Sequence, residues 1–452
     1  MSATTARDAR GSDSAGYRAW VLFVLILVYT FNFIDRQIIG ILQVPIKAEF
    51  GLTDLQVGLM SGFAFALFYA GIGIPVAALA DKKNRVVIMT AALTIWSFFT
   101  AICGAAQNYA QLFLARLGVG VGEAGGVAPA YSLIADSFRP NQRSRALAAY
   151  SFGIPIGSAI GIILGGVLLS YLDWRAAFII VGLAGLPLAP LLLFTVKEPE
   201  RGRFDAKPVT PVGQQSTLRG LIEVLKVLAR KPSFWGLSLG AACSSMMGYG
   251  LFLWVPSFLM RSFGGELASF IAFMPDALVP DNAGPLLYAA YFYGAVVLIG
   301  GIAGIWLGGM LSDKFGVERK SAYALVPAAA FALTVPFLAV AVLTPSLGLV
   351  FLAMIVPTAL GLVWLGPVIS AFQHLVPPHM RATASAVFLF INNLIGIGVG
   401  QPAIGLISDQ LAASYGDESL RYAILTGCVF YVAAAGLMAL TAPRLKNDWE
   451  GG

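Results

Sequence analysis

Apolar stretches punctuated by short polar loops run from near the start of this chain to near its end. Twelve of them approach or exceed the about 20 residues that a helix needs to cross a bilayer. They lie near 17–42, 55–80, 86–107, 110–135, 144–171 and 174–196, then 234–263, 285–311, 321–343, 347–376, 382–408 and 421–442. Lipid offers no partner to backbone N–H and C=O groups, so each stretch must bond within itself as a helix. The expected fold is all-α, with twelve transmembrane helices in two six-helix bundles.

Composition agrees with a lipid environment. Hydrophobic residues make up 58% of the 452 and charged residues only 12%, against roughly 25% charged in soluble domains. The net charge of +6 falls in short clusters between apolar stretches, not on one face with interleaved aromatics, which argues against a nucleic-acid partner. Cys103, Cys243 and Cys428 lie inside apolar stretches with no metal-ligand spacing and read as packing residues. The first apolar run continues into a charged pair with no small-residue cleavage site and reads as a retained span.

Lys and Arg set the orientation, because short loops rich in them stay cytoplasmic. Twenty-three of the 29 fall on one side, and only Lys47, Arg175, Arg261 and Arg421 fall on the other. Both termini of this multi-pass protein are therefore expected in the cytoplasm. The domain reading is a tail over 1–16, a bundle over 17–196, a cytoplasmic linker over 197–231, a second bundle over 232–443 and a tail over 444–452. A repeat relates the loops after the second and eighth spans, where Leu79, Asp81, Lys82 and Arg85 match Gly309, Asp313, Lys314 and Gly316. Such loops either gate one end through interhelical ion pairs or serve topology alone.

The two remaining cations, Arg36 and Arg116, lie inside spans. Charge at membrane depth costs several kcal/mol unless it is paired or faces water. Asp35 and Arg36 in NFIDRQIIG thus mark a polar cavity, the alternative being an interfacial pair that snorkels. Arg116 and Glu123 are seven residues apart and share a helix face. Asp35, Arg36, Arg116 and Glu123 are expected to cluster, with Glu123 either changing protonation as the cavity opens to each side or held in a fixed ion pair.

The string GVGEAG satisfies a dinucleotide fingerprint but lies within a span, away from any strand, so no nucleotide cofactor is implied. The second half carries few ionisable groups at depth. It offers Asn392, Asn393 and Gln401 with Trp364, Tyr249 and Trp254, of which Asn393 and Trp364 are candidate substrate contacts. A cationic, titratable wall facing an aromatic one suits a small amphiphile with an anionic head. The apolar stretch 267–278 in an outer loop reads either as a surface-lying segment or as an ordinary insertion.

These features together resemble the major facilitator superfamily, over almost the whole chain. GVGEA at 120–124, IADSFRPNQRSRALA ending at Ala148, FGIPIGSAIG, and DWRAAF at 173–178 resemble its Spinster branch. The first loop motif departs from the superfamily pattern, with Ala77 and Asn84 where glycines are usual. The resemblance implies alternating-access transport of a lysolipid or sphingoid-phosphate type of substrate, with protons as the coupling ion at Asp35 and Glu123. It places substrate at Arg36 and Arg116. No other cofactor is implied, and the expected partners are the substrate and membrane lipid, with the protein acting as a monomer. A proton symporter for organic or sugar acids and a transporter-fold sensor are the competing readings. An enzyme is not supported, because His374 and His379 near one loop are the only histidines and no nucleophile-base arrangement accompanies them.

Overall fold

The computed structural model describes residues 14–80, 82–201, 203–204, 217–275, 278–316, 319–377 and 380–449. Among them there are helices and turns and no strands. Twelve rods carry the fold. In the first half these are α1 (Ala15–Phe50), α2 (Asp54–Ala80), α3 (Arg85–Cys103), α4 (109–137), α5 (140–171) and α6 (Trp174–Thr195). In the second they are α7 (Pro232–Phe263), α8 (Pro285–Gly316), α9 (Ala322–Leu343), α10 (347–375), α11 (Arg381–Tyr415) and α12 (Ser419–Thr441).

Ten stretches are long and apolar enough to cross a membrane, and one of them, Thr383–Thr441, holds both α11 and α12. The twelfth rod, α4, breaks between Tyr109–Glu123 and Val127–Ser137 at a glycine pair, and its polarity comes from the residues that matter most below. Observed helices overrun several sequence-derived bounds because helical bonding continues beyond the apolar core. Thus α1 runs through Pro45 to Phe50 and is capped by Gly51 at φ 62°, whose N–H bonds Lys47 O. That left-handed cap turns the chain directly into α2.

Packing repeats between the halves. In the first, α1 lies along α5, α2 along α4, and α3 along α4 and α6; in the second, α7 lies along α11, α8 along α10, and α9 along α10 and α12. Contacts between halves follow the same operation, α2 with α11 and α5 with α8, joined by α1 with α7. Glycines permit the closest approaches. A Cβ on Gly58 of α2 would stand 2.7 Å from Gln401 O and Pro402 Cα of α11. Next to it, α2 widens into a π-turn at Leu59–Phe63.

Two segments differ from their sequence reading. The stretch 197–231, read as polar, contains an amphipathic helix, Thr217–Ala229. The apolar stretch 267–278 docks on the bundle: Leu267 and Ile271 are buried, and Phe270 packs 5.2 Å from Phe292 of α8 and 5.8 Å from Phe351 of α10. Phe273 and Leu278 project outward.

Within the first half, a Cβ on Gly182 of α6 would lie 2.4 Å from Ala101 N and 2.6 Å from Ser97 O of α3. Overpacking of this kind costs about 1–3 kcal/mol. Gly182→Leu is therefore expected to lower the melting temperature of the detergent-solubilised protein, and an unchanged melting curve would refute this contact.

Candidate functional site

The break in α4 follows directly after Glu123, which places that carboxylate at the end of one helical segment, facing α1 and α2. Arg116 lies two turns earlier on the same face. From α1, Asp35 and Arg36 meet them. Arg36 Nε donates to Glu123 Oε2, and Arg116 Nη1 stands 3.6 Å from Asp35 Oδ1. Thr100 of α3 donates its hydroxyl to Asp35 Oδ2. Asp35, Arg116 and Glu123 are exposed by only 3%, 1% and 0%, so the interfacial snorkelling arrangement does not apply. The four side chains form two crossed ion pairs.

Aromatic rings complete the surroundings. The Arg36 guanidinium lies over Phe33, Phe65 and Tyr69 at 5.3, 4.7 and 4.6 Å, and Arg116 lies 6.0 Å from Phe65. Such contacts stabilise a desolvated cation by about 2 kcal/mol. Tyr249, contributed by α7 of the opposite half, also lies beside Arg36. The pairs leave bonding capacity unused, because Asp35 Oδ1, Arg36 Nη2, Arg116 Nε and Nη1, and Glu123 Oε1 are buried without a hydrogen bond. Those atoms can take a proton, a water or a ligand oxygen.

The second half contributes in a different way. Asn392 Oδ1 accepts from Ser245 Oγ at 2.9 Å, and Gln401 Nε2 donates to Tyr249 O at 3.1 Å, so these amides tie α11 to α7. Asn393 is buried on α11, and Trp364 packs edge-on at 6.0 Å against Phe388. Both belong to the second bundle, apart from the crossed pairs of the first. Among the described residues no group of three or more His, Cys, Asp or Glu could hold a metal ion.

The loop motifs behave unequally. Arg85 is fully buried and binds Glu198 Oε1 at 2.6 Å, Ser132 Oγ at 2.6 Å, Asp136, and Pro199 O at 3.1 Å. It ties α3 to α4 and to the start of the linker, all within the first half or its exit. Lys82 follows the end of α2, its N–H bonding Leu79 O at 3.0 Å. Asp81 lies outside the described residues, as does the side chain of Asp313. Gly309 and Lys314 sit in the last turns of α8, and a Cβ on Gly309 would meet open space.

An ionic lock at the opposite end was not singled out from sequence. Asp54, the first residue of α2, is 2% exposed and accepts from Arg261 Nη1 and Nη2 at 3.0 and 2.7 Å, from Ser408 Oγ at 2.7 Å and from Lys47. Asp409 of α11 caps α2 by accepting from Asp54 N and Leu55 N at 2.9 and 2.8 Å. Gln43 of α1 donates to Leu253 O and Ser257 Oγ of α7 at 3.2 and 2.6 Å. These bonds join α1 and α2 of one half to α7 and α11 of the other. The available signal was Lys47 and Arg261 standing at span ends on the side otherwise almost bare of cations.

Buried crossed ion pairs in one six-helix bundle and an ionic lock between the two bundles at one end are the features of a membrane transporter. Known proteins agree. The family model described as Major Facilitator Superfamily matches residues 25–401. An MFS-type efflux pump of Mycolicibacterium smegmatis is 36% identical over 440 residues, covering 95% of this chain and 94% of its own. The sphingosine-1-phosphate transporter SPNS2 of Danio rerio is 27% identical, covering 92% and 82%. Among solved structures, a bacterial homolog of the human lysosomal transporter Spinster, inward-facing and unoccupied, superposes with a TM-score of 0.80 at 32% identity, covering 97% of this chain and 99% of its own. The chain belongs to the Major Facilitator Superfamily and is a transporter of the Spinster type, an integral multi-pass membrane protein and not an enzyme.

Removing one partner of a buried pair leaves the other charges uncompensated, at about 3–5 kcal/mol. Each 1.4 kcal/mol lost from the locked state is about tenfold in the open fraction. Asp54→Asn is thus expected to add a longer-distance population between spin labels at exposed Gln107 and Asp417, read by pulsed electron resonance. Distances identical to wild type would refute the lock.

Proposed function

We propose that this transporter moves an amphiphile with an anionic head by alternating access, coupled to protons that exchange at Asp35 and Glu123. The observation that carries this reading is the crossed pairing itself. Arg36–Glu123 and Arg116–Asp35 are buried yet leave N–H groups and carboxylate oxygens without a hydrogen bond. A carboxylate that takes a proton releases its arginine, and a freed guanidinium is a donor for a phosphate or carboxylate head. Carboxylate and substrate thus compete for the same two arginines, and a proton on the carboxylate favours the substrate. That linkage suits movement of proton and substrate together.

Rings around Arg36 favour a substrate that is apolar beyond its head. Phe33, Phe65 and Tyr69 surround the guanidinium, and in the opposite bundle Trp364 packs against Phe388. The likeness to a protein named for transport of sphingosine-1-phosphate points to the same chemistry. With both termini in the cytoplasm of a bacterial inner membrane, as the Lys and Arg distribution indicates, the Asp54 lock closes the outer end and the protein rests facing inward. The likeness to an inward-facing homolog supports this orientation.

The reading is tested in liposomes containing purified protein under an imposed pH gradient, with lysolipid and sugar acid as rival substrates. Wild type is expected to move lysolipid in response to the gradient. Glu123→Gln is expected to lose that response while retaining gradient-independent exchange of substrate, because the arginines remain. Sugar-acid movement in place of lysolipid would overturn the substrate class. A variant that still followed the gradient as wild type does would overturn coupling at Glu123.

A further inference from the structure

The linker helix Thr217–Ala229 is a structural element that the transport cycle does not explain. Its described side chains divide into three sectors at 100° per residue. Val224 and Leu228 are buried against the second bundle, at 4% and 0% exposure. Ile222, Leu225 and Ala229 form an exposed apolar stripe beside them. Lys226 and Arg230, one turn apart, border that stripe on its far side and are exposed. Trp235, at the start of α7, donates its indole N–H to Leu228 O at 3.1 Å and leaves 37% of its surface exposed. An apolar stripe, flanking cations and a half-exposed Trp are the features of a helix lying in a membrane interface.

Beside the cations lies a cleft of about 430 Å³ between this helix and the C-terminal segment. Lys226, Arg230 and Lys231 line it with the carboxylates Glu223 and Asp448 and with Asn447. Asp448 is held in position by two hydrogen bonds. Its Oδ2 accepts from Ser233 N at 2.9 Å, and its carbonyl accepts from Lys231 Nζ at 3.0 Å. Trp449 holds this segment in place by stacking on His374 and Tyr323 at 4.5 and 5.4 Å. Among the residues lining the cleft, the cations Lys226, Arg230 and Lys231 outnumber the carboxylates Glu223 and Asp448.

We propose that this cleft binds the head of an anionic phospholipid from the leaflet on the side of the termini, with its chains against Ile222, Leu225 and Trp235. The two cations match the phosphate, and the adjoining stripe matches the acyl chains, a combination that a soluble anion would not use. The site lies on the linker, so bound lipid fixes the segment that joins the two bundles. It is independent of the proposed substrate and of transport direction.

Native mass spectrometry of the purified full-length protein tests this, with phosphatidylglycerol and phosphatidylcholine offered at equal concentration. Basic side chains at an anionic surface contribute about fivefold each, about 1 kcal/mol apiece. Wild type is expected to retain phosphatidylglycerol preferentially, and the double variant Lys226→Gln/Arg230→Gln to lose about 30-fold of that preference. Equal retention of both lipids by wild type would overturn the proposal, as would an undiminished preference in the variant. Displacement of the lipid by inorganic phosphate at equal concentration would also overturn it, in favour of a free-anion site.

Discussion

Ionised side chains in a membrane-spanning bundle are stable only in company, and this constraint organises the first half of the protein. A buried ion costs several kcal/mol after relaxation, which a partner offsets only with good geometry. Four such groups occupy α1 and α4, and each arginine faces one carboxylate. The close approach needed to bring them together follows from small residues. A Cβ on Gly120 of α4 would stand 2.5 Å from Phe65 O of α2, and one on Gly122 would stand 2.4 Å from Trp96 N of α3. Helices drawn this close exclude water and strengthen the pairs, which in turn justify the polar residues in the spans.

Much of the architecture was legible in the chain. Apolar length fixed the rods, and the clusters of Lys and Arg between them supplied an alternation that the observed helix order follows. The buried quartet was legible too, since an Asp-Arg pair amid NFIDRQIIG has no reason to exist in lipid without partners, and the seven-residue spacing of Arg116 and Glu123 supplied them. Which arginine takes which carboxylate was not legible. That depends on how α1 and α4 are rotated against each other, which is a tertiary property set by α2 and α3. Thr100, one of several hydroxyls on α3 with Thr90, Thr94 and Ser97, gave no pattern by which to connect it with Asp35.

Asp54 was missed for a related reason. It opens α2 next to Thr53, whose side chain joins Gln56 in a capping box, so its local role is that of an acidic residue at a helix N-terminus. Its partners Arg261 and Ser408 are more than 200 residues away and meet it across the boundary between the halves. Sequence spacing reports contacts within an element well and contacts between two moving bodies poorly. The linker helix was missed because its charges broke the hydropathy signal. Amphipathic helices average out on such a scale even when one face is apolar.

The two ends of the bundle hold their charges in different ways, and that difference bears on how the protein moves. Arg85 spends its bonds within the first half and the start of the linker, so they need not break when the halves rock. Asp54 draws Lys47 from its own half and Arg261, Ser408 and the cap from Asp409 across the boundary, so opening that end breaks most of them at once. Water entering the opened end would solvate the released charges, and the net cost is smaller than the sum of the bonds. What remains must be supplied by differential binding, because a ligand or proton shifts the equilibrium only by its preference for one state over the other. Arg36 is placed to transmit such a preference. It is held by Glu123 on one side and touches Tyr249 of the opposite half on the other. A change at Glu123 therefore alters a contact that itself spans the two bundles, and α7, which carries Tyr249, also carries Arg261 of the lock.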